Sequence, residues 1–295
     1  YTLAVTSVLG GKFYEGTQEQ VKRIQNLVMQ CEPLFVAKLA VYTRKKMNLR
    51  SIPLVLAVEL AKVHRGDSIV NKMVKGIVQR ADEITELLAY YQQANEREGI
   101  KKLNRLSKQI QTGLRETFNQ FDEYQFAKYN RNTEVKLKDA LFLVHPKAKD
   151  SSQQAIFDKI VSDSLEIPYT WETELSALGQ GKYNSEEEKE QAFRLKWEEL
   201  IDSGKLGYMA LLRNLRNILE SKVSKEHIIK VVEVLSSPES VRRSRQLPFR
   251  FLAAYRELSK VKSAYAGRIM EALEVAVKIS AENIKGFGWD TEVLI

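Results

Sequence analysis

The chain of 295 residues has one cysteine, Cys31, and only three histidines. A single thiol excludes an internal disulfide and fits a reducing compartment. With so few His and Cys residues, no cluster has the spacing of a zinc site, and no metal or other cofactor is expected. No apolar run approaches the roughly 20 residues that a membrane span needs, so no membrane partner is expected and a cytoplasmic location is. Strand signals are scarce; only Glu292-Val-Leu-Ile295 looks β-like. Catalytic patterns are absent too. Gly10-Gly11-Lys12 lacks the upstream glycine and the following hydroxyl of a phosphate loop, and no Ser–His–Asp or His–Cys set follows from spacing. The expectation is a protein that is not an enzyme.

What the chain does have is helical periodicity. With 44% hydrophobic residues it can bury a core. Ile100, Leu103, Leu106, Ile110, Leu114 and Phe118 recur at spacings of three and four, which places them on one face of a helix over 99–118. Further helices are expected at 17–29, 33–47, 52–64, 68–79, 83–95, 150–163, 186–202, 206–220, 224–235, 248–259 and 263–283. Asp150 is an expected N-cap, and Ser185 followed by Glu186, Glu187 and Glu188 resembles a capping box. Pro33, Pro53 and Pro248 fall near helix starts. Amphipathic helices in antiparallel pairs, at a rhythm of about forty residues, predict an all-α helical-repeat solenoid.

The net charge is +8, unevenly spread. Residues 101–150 hold eleven Lys/Arg against six Asp/Glu, and 201–250 hold ten against five. Between them, 151–200 hold five against eleven. Such blocks suit a bounded positive surface that faces a polyanion, although a basic protein without a nucleic acid would also carry them.

Four basic groups stand out. Lys101, Arg105, Lys108, Thr112 and Arg115 would share one polar face of the 99–118 helix, either to track phosphates or as a solvated face. Lys128, Arg131, Lys136, Lys138, His145, Lys147 and Lys149 follow or interleave with Tyr124, Phe126 and Tyr129, a pattern that can hold phosphates and stack bases, unless the aromatics are core. Arg213, Arg216, Asn217 and Glu220 lie opposite the stripe Met209, Leu212, Leu215 and Leu219; they can grip phosphates, or Arg216 can pair with Glu220. Arg242, Arg243, Arg245 and Arg250 surround a loop expected over 237–250, with no acidic neighbour in sequence closer than Glu239, and make the strongest anion signal, unless the loop is simply solvated. His64, His227 and Cys31 read as structural.

These same segments carry a family resemblance. Leu39-Ala-Val-Tyr-Thr-Arg-Lys-Lys46 with Leu49-Arg-Ser-Ile-Pro-Leu54 is the first stretch. Phe121-Asp-Glu-Tyr-Gln-Phe-Ala-Lys-Tyr-Asn-Arg131 is the second, with Lys136-Leu-Lys-Asp-Ala-Leu141 and His145-Pro-Lys147. Tyr208-Met-Ala-Leu-Leu-Arg-Asn-Leu-Arg-Asn217 and Arg245-Gln-Leu-Pro-Phe-Arg-Phe-Leu-Ala-Ala-Tyr255 follow. In order and spacing they resemble the TROVE domain, the helical-repeat module of Ro autoantigen proteins and their bacterial relatives.

The resemblance implies HEAT-like repeats closed into a ring. It implies binding of small non-coding Y RNAs on a basic outer surface, and of misfolded RNA whose single-stranded 3′ end enters a central hole. An exoribonuclease such as polynucleotide phosphorylase is an implied partner. By position, Lys128, Arg131, Lys136, Lys138, His145 and Lys147 resemble the family's RNA-binding region. Arg213 and Arg216 lie in its Leu-Arg-Asn-Leu motif, and Arg245 and Arg250 in its Pro-Phe motif. Leu137 stands where vertebrate relatives carry a histidine. The resemblance places a TROVE-type domain over 1–290 and the start of a von Willebrand factor A-like domain at 291–295. Both chain ends read as cut. The expected function is RNA binding in non-coding RNA quality control; the other reading is a protein–protein scaffold, for example one that tethers a nuclease.

Overall fold

The computed structural model describes residues 1–6, 17–95, 103, 105–130 and 133–282. All regular structure among them is helical, in seventeen α-helices and a short 3-10 turn at Phe118–Gln120, with no strand. The chain divides into two compact units, Tyr1–Pro168 and Tyr169–Ile295.

The first unit holds α1 (Thr2–Thr6), α2 (Thr17–Gln30), α3 (Pro33–Lys45), α4 (Ser51–Val63), α5 (Ile69–Ile77), α6 (Asp82–Ala94), α7 (Lys108–Thr117), α8 (Glu123–Tyr129), α9 (Leu137–Val144) and α10 (Ser151–Val161). Its packing alternates. One row runs α2, α4, α6; another runs α3, α5, α7; α3 and α5 also pack on α4, and α9 packs on both α6 and α7. Two rows of next-but-one neighbours are what stacked helical repeats produce. The sequence of α4, SIPLVLAVELAKV, explains its place: it is apolar all round, and every residue from Ile52 to Ala61 is buried. Its one buried acid, Glu59, pairs with Lys62 at 3.1 Å and accepts from Gln25 Nε2 at 3.1 Å. Each fully buried leucine or valine in this row contributes about 1.5–3 kcal/mol.

A buried ion pair ties α3 to α6. Arg44 Nη2 donates to Glu83 Oε1 at 2.7 Å, and Arg44 Nε donates to the carbonyl of Ile77 at 3.1 Å. The other Glu83 oxygen accepts the N–H groups of Gln79 (2.7 Å) and Arg80 (3.1 Å) at the start of α6. The carboxylate thus closes the α5–α6 corner and pairs the buried guanidinium together. Gly113 lets α7 approach α5: a Cβ there would lie 2.7 Å from Val74 Cβ and 2.8 Å from the Asn71 carbonyl.

The second unit holds α11 (Trp171–Gly179), α12 (Glu186–Asp202), α13 (Tyr208–Glu220), α14 (Lys225–Ser236), α15 (Pro238–Ser244), α16 (Pro248–Leu258) and α17 (Ala266–Ala281). It has its own core, with Trp197, Leu215, Ile218, Phe251 and Leu273 among its buried residues. Helix α17 packs on α14, α15 and α16, and α13 packs on α14, α15 and α16.

The expected helices over 17–29, 33–47, 52–64, 68–79, 83–95, 150–163, 186–202, 206–220, 224–235, 248–259 and 263–283 each correspond to a helix. Asp150 caps α10, accepting from Gln153 N at 2.7 Å. Ser185 caps α12, accepting from Glu188 N at 3.2 Å, while Glu188 itself accepts from Asn184 N at 2.8 Å. The helix expected over 99–118 is corrected: it begins at Lys108, because Leu106 and Ser107 leave the helical path. The loop expected over 237–250 is also corrected. It contains α15, started by Pro238 and by the Ser237 hydroxyl, which accepts from Ser240 N at 3.2 Å. Helices α8, α9, α11 and α15, of seven to nine residues, were not anticipated; two turns are too short to display a period. The strand expected at 292–295 lies outside the described residues.

Candidate nucleic-acid interface

In the second unit the apolar stripe of α13 turns inward: Leu212, Leu215 and Leu219 are buried. The helix period therefore forces Arg213, Arg216, Asn217 and Glu220 outward, and all four are exposed. Helix α16 lies alongside and brings Arg250 to the same place. Together Arg213, Arg216, Asn217, Arg250 and Glu257 line a groove of about 360 Å³ floored by Met209, Leu212, Leu215 and Leu258.

The charges in this groove are not equivalent. Arg216 Nε donates to Glu220 Oε1 at 2.7 Å, and this bond, with the charge behind it, raises the guanidinium's pKa further. Glu257 accepts from Lys260 Nζ at 2.8 Å, which holds its carboxyl below the usual carboxylate range. Arg213 makes no ion pair among the described residues. Arg250 makes none either; its guanidinium lies 5.1 Å from the ring centre of the exposed Phe249. Two guanidiniums without an ion pair therefore line one groove together with the Asn217 amide, and one of them lies against the exposed Phe249 ring. A planar guanidinium matches a phosphate with two parallel N–H bonds, and an exposed ring can stack a base.

The arginines around α15 separate. Arg242 donates through Nε (2.9 Å) and Nη2 (2.7 Å) to Glu282 Oε2, so a carboxylate forty residues away already meets it. No acidic residue lies closer in sequence than Glu239, but tertiary packing supplies Arg242 with one from a distant segment. Arg245 ends α15 in a left-handed conformation, φ 54°, with its N–H donating to the Arg242 carbonyl at 3.2 Å. Arg243 lines a separate cavity of about 650 Å³, with Lys230, Tyr208, Ser240 and Ser244 among its walls. There Lys230 Nζ donates to Asp202 at 2.6 Å and holds that carboxyl below its ordinary value, with His227 adding to the effect. Arg243 makes no ion pair among the described residues. Tyr208 donates its hydroxyl to the Leu235 carbonyl at 2.8 Å, and burial pushes its phenol up.

The predicted residues of the first unit lie on α8 and α9. Of the three aromatics, Phe126 is fully buried and Tyr124 is exposed. Tyr129 lies under Arg80, 4.2 Å from its ring centre, and Lys128 reaches over the rings of both Tyr124 (5.5 Å) and Tyr129 (5.8 Å). Lys136 precedes α9 as its exposed N-cap residue. Lys138 pairs loosely with Asp163 at 3.3 Å. His145 caps α9 in the left-handed region, φ 50°. Lys147 is exposed, and its carbonyl accepts from Asn119 Nδ2 at 2.9 Å. Arg131 lies outside the described residues. An unanticipated residue joins this set: Phe142 is exposed, and it shares the face of Lys138 and His145 at spacings of four and three. That spacing was readable once α9 was known to be helical.

Two other groups have different surroundings. Of the row Lys101, Arg105, Lys108, Thr112, Arg115, the last three lie on α7 and Arg105 precedes it; Lys101 lies outside the described residues. Arg115 donates to the Val144 carbonyl at 2.8 Å, bracing α7 against α9. Ser224, His227 and Asp202 form a chain of 2.8 and 3.2 Å contacts that resembles a nucleophile relay. The Ser224 hydroxyl, however, also donates to Glu226 at 2.7 Å at the start of α14, which makes this a helix-start network. His64 likewise pairs with Asp67 at 2.9 Å. Among the described residues no group of His, Cys, Asp and Glu could hold a metal ion, and no helix is long and apolar enough to cross a membrane.

A sequence model of the TROVE domain matches residues 11–196 and 163–268. The chain belongs to the TROVE family. Its similarity to telomerase protein component 1 of Rattus norvegicus is 27% identity over 84% of this chain and 12% of that protein. The Mus musculus protein of the same name is 26% identical over the same shares. The chain thus spans about an eighth of the length of these relatives. Among solved structures, the Ro (RSR) protein of Deinococcus radiodurans matches with a TM-score of 0.63 at 15% identity. That match covers 95% of this chain and 61% of the other, and at this identity it speaks for the fold.

Proposed function

We propose that this TROVE chain is a non-catalytic RNA-binding component of a ribonucleoprotein. The observation that carries the reading is the α13–α16 groove, where Arg213 and Arg250 face solvent without a carboxylate partner, with Asn217 in the same lining and the exposed Phe249 ring against Arg250. Guanidiniums in this state gain by meeting phosphates and give up no internal pair to do so. Arg243, and in the first unit Lys128, Lys136, Lys138, Arg131, His145 and Lys147, extend the same basic chemistry. A-form RNA is held mainly by shape and phosphate charge, which asks for spread cations rather than a base-reading pocket. The rodent relatives are by name components of telomerase, which supports a place inside a larger assembly.

The finer reading is that the RNA is small, structured and Y-like, or misfolded with a single-stranded 3′ end, as in RNA quality control. Closure of the repeats into a ring, a domain spanning 1–290, a nuclease partner such as polynucleotide phosphorylase, and a cytoplasmic location belong to the same proposal. The test is binding of three labelled RNAs at physiological salt: a hairpin, a single strand, and the hairpin with a 3′ single-stranded tail. Clear preference for the tailed hairpin supports the surveillance reading. Equal, weak binding to all three would sink it and leave only generic charge.

A further inference from the structure

Helix α3 carries a second surface, apart from the basic groups described above. Its sequence, PLFVAKLAVYTRK, contains no acidic residue. Its inner face buries Val36, Ala37, Ala40 and Thr43. The helix period then sends Phe35, Lys38, Tyr42 and Lys45 to the opposite side, at spacings of three, four and three. All four are exposed; Phe35 keeps 46% and Tyr42 47% of its surface open to solvent. The ammonium groups of Lys38 and Lys45, and of Lys46 just beyond, make no hydrogen bond or ion pair among the described residues. The adjacent acid, Glu32, is turned away: its two oxygens accept the N–H groups of Leu34 (3.1 Å) and Phe35 (2.9 Å) as the cap of α3.

We infer that the Phe35–Lys38–Tyr42–Lys45 face of α3 binds a single-stranded polynucleotide, its rings stacking unpaired bases and its lysines meeting the phosphates between them. The alternation is the argument. An ordinary solvated helix face mixes charges of both signs and keeps large rings inside; this one leaves two rings out and has one sign only. An apolar protein partner would be served by the rings but not by unpaired lysines set between them. Duplex RNA offers phosphates but no open base faces, so the rings would be idle against it. A single strand uses both, because every base has a face to stack and each nucleotide adds a charge. The two rings, seven residues apart, stand about 10 Å from each other along the helix axis, so they engage separate bases of one strand.

This inference rests on the RNA-binding reading, and the test keeps the two apart. The full chain is titrated against a short fluorescein-labelled oligouridylate and against a blunt RNA hairpin. Phe35→Ala with Tyr42→Ala, both on an exposed face, should leave the circular dichroism unchanged. It should weaken oligouridylate binding about tenfold or more, since each stacked base is worth at least about fivefold. Hairpin affinity should stay within about twofold, since a blunt duplex offers no open base faces to the rings. Phe35→Tyr with Tyr42→Phe should restore the single-strand affinity. Lys38→Ala with Lys45→Ala should lower the log–log salt slope for oligouridylate by about 1.4, two phosphates at about 0.7 each. A 4-thiouridine oligonucleotide should crosslink to the 33–46 peptide. If the wild-type chain binds oligouridylate and the ring variants bind it equally well, the α3 inference is overturned while RNA binding stands, and the face falls to a protein occupant. If both probes weaken alike, the selectivity argued here is wrong. If the wild-type chain binds neither RNA, the RNA reading and this inference fall together.

Discussion

The arginines of the second unit can be ranked by the partners they already have. Arg213 and Arg250 line the α13–α16 groove without an ion pair among the described residues, whereas Arg216 is held by Glu220 at 2.7 Å and Arg242 by two bonds to Glu282. A charge-assisted hydrogen bond contributes about 1.5–3 kcal/mol, so Arg213→Ala and Arg250→Ala should each weaken hairpin binding roughly tenfold or more. Each should also lower the log–log salt slope by about 0.9, and the double variant by about twice that. Arg216 must leave its glutamate before it can serve a phosphate. An exposed pair of that kind is worth about 0.2–1 kcal/mol, which offsets part of the gain, so Arg216→Ala should cost only a fewfold. Arg242→Ala should be nearly silent. The reciprocal change is the sharper one: Glu220→Gln releases Arg216 and should tighten binding and steepen the salt slope. Fluorescence anisotropy over a series of KCl concentrations reads every one of these. If Arg216→Ala or Arg242→Ala costs as much as Arg213→Ala, or Glu220→Gln weakens binding, then the ion pairs seen here do not govern the interface and the groove assignment is wrong.

Other outcomes follow from the packing. Glu83→Ala leaves the Arg44 guanidinium buried with only the Ile77 carbonyl and should cost about 3–5 kcal/mol in urea unfolding. Arg44→Met should cost less, since Glu83 keeps two backbone N–H donors and Arg50 Nε at 3.5 Å; the reverse order would refute this account. Gly113→Ala should destabilise by about 1–3 kcal/mol, as its Cβ would meet Val74 at 2.7 Å, less the gain in helix propensity. Gly179→Ala, with open space around it, is the control and should be neutral or stabilising, so equal effects at the two sites would remove the close-approach argument. Tyr208→Phe should cost about 1 kcal/mol near neutral pH through the lost bond to the Leu235 carbonyl. Burial raises the folded phenol above its ordinary 10.0, so its contribution is whole below that pH and is lost as pH rises through the folded value. The wild type should therefore lose stability faster than Tyr208→Phe above about pH 10, and parallel urea midpoints there would contradict the burial argument.

Much of the architecture was decided along the chain. Long amphipathic periods placed most of the helices, Asp150 and Ser185 announced their caps, and four motif stretches carried the family. These features are local: a helix period, a cap or a motif needs only its own neighbours in sequence. The short helices α8, α9, α11 and α15 could not be read in this way, because seven to nine residues show too little of a period, although Ser237-Pro238 offered a start signal for α15. Arg216 and Glu220, one helical turn apart, could be read from the sequence as a candidate pair, and they pair at 2.7 Å; pairs between distant segments could not be read there. Arg242 and Glu282 are forty residues apart, Arg44 and Glu83 thirty-nine, and only packing reveals that these arginines are spoken for. Arg213 and Arg250 looked like members of two separate motifs until α13 and α16 set them in one groove. Residue type and spacing determined which side chains were cations on outward faces. Tertiary structure decided which of those cations remain unpaired, because an ion pair depends on distance in space, and a sequence records only distance along the chain.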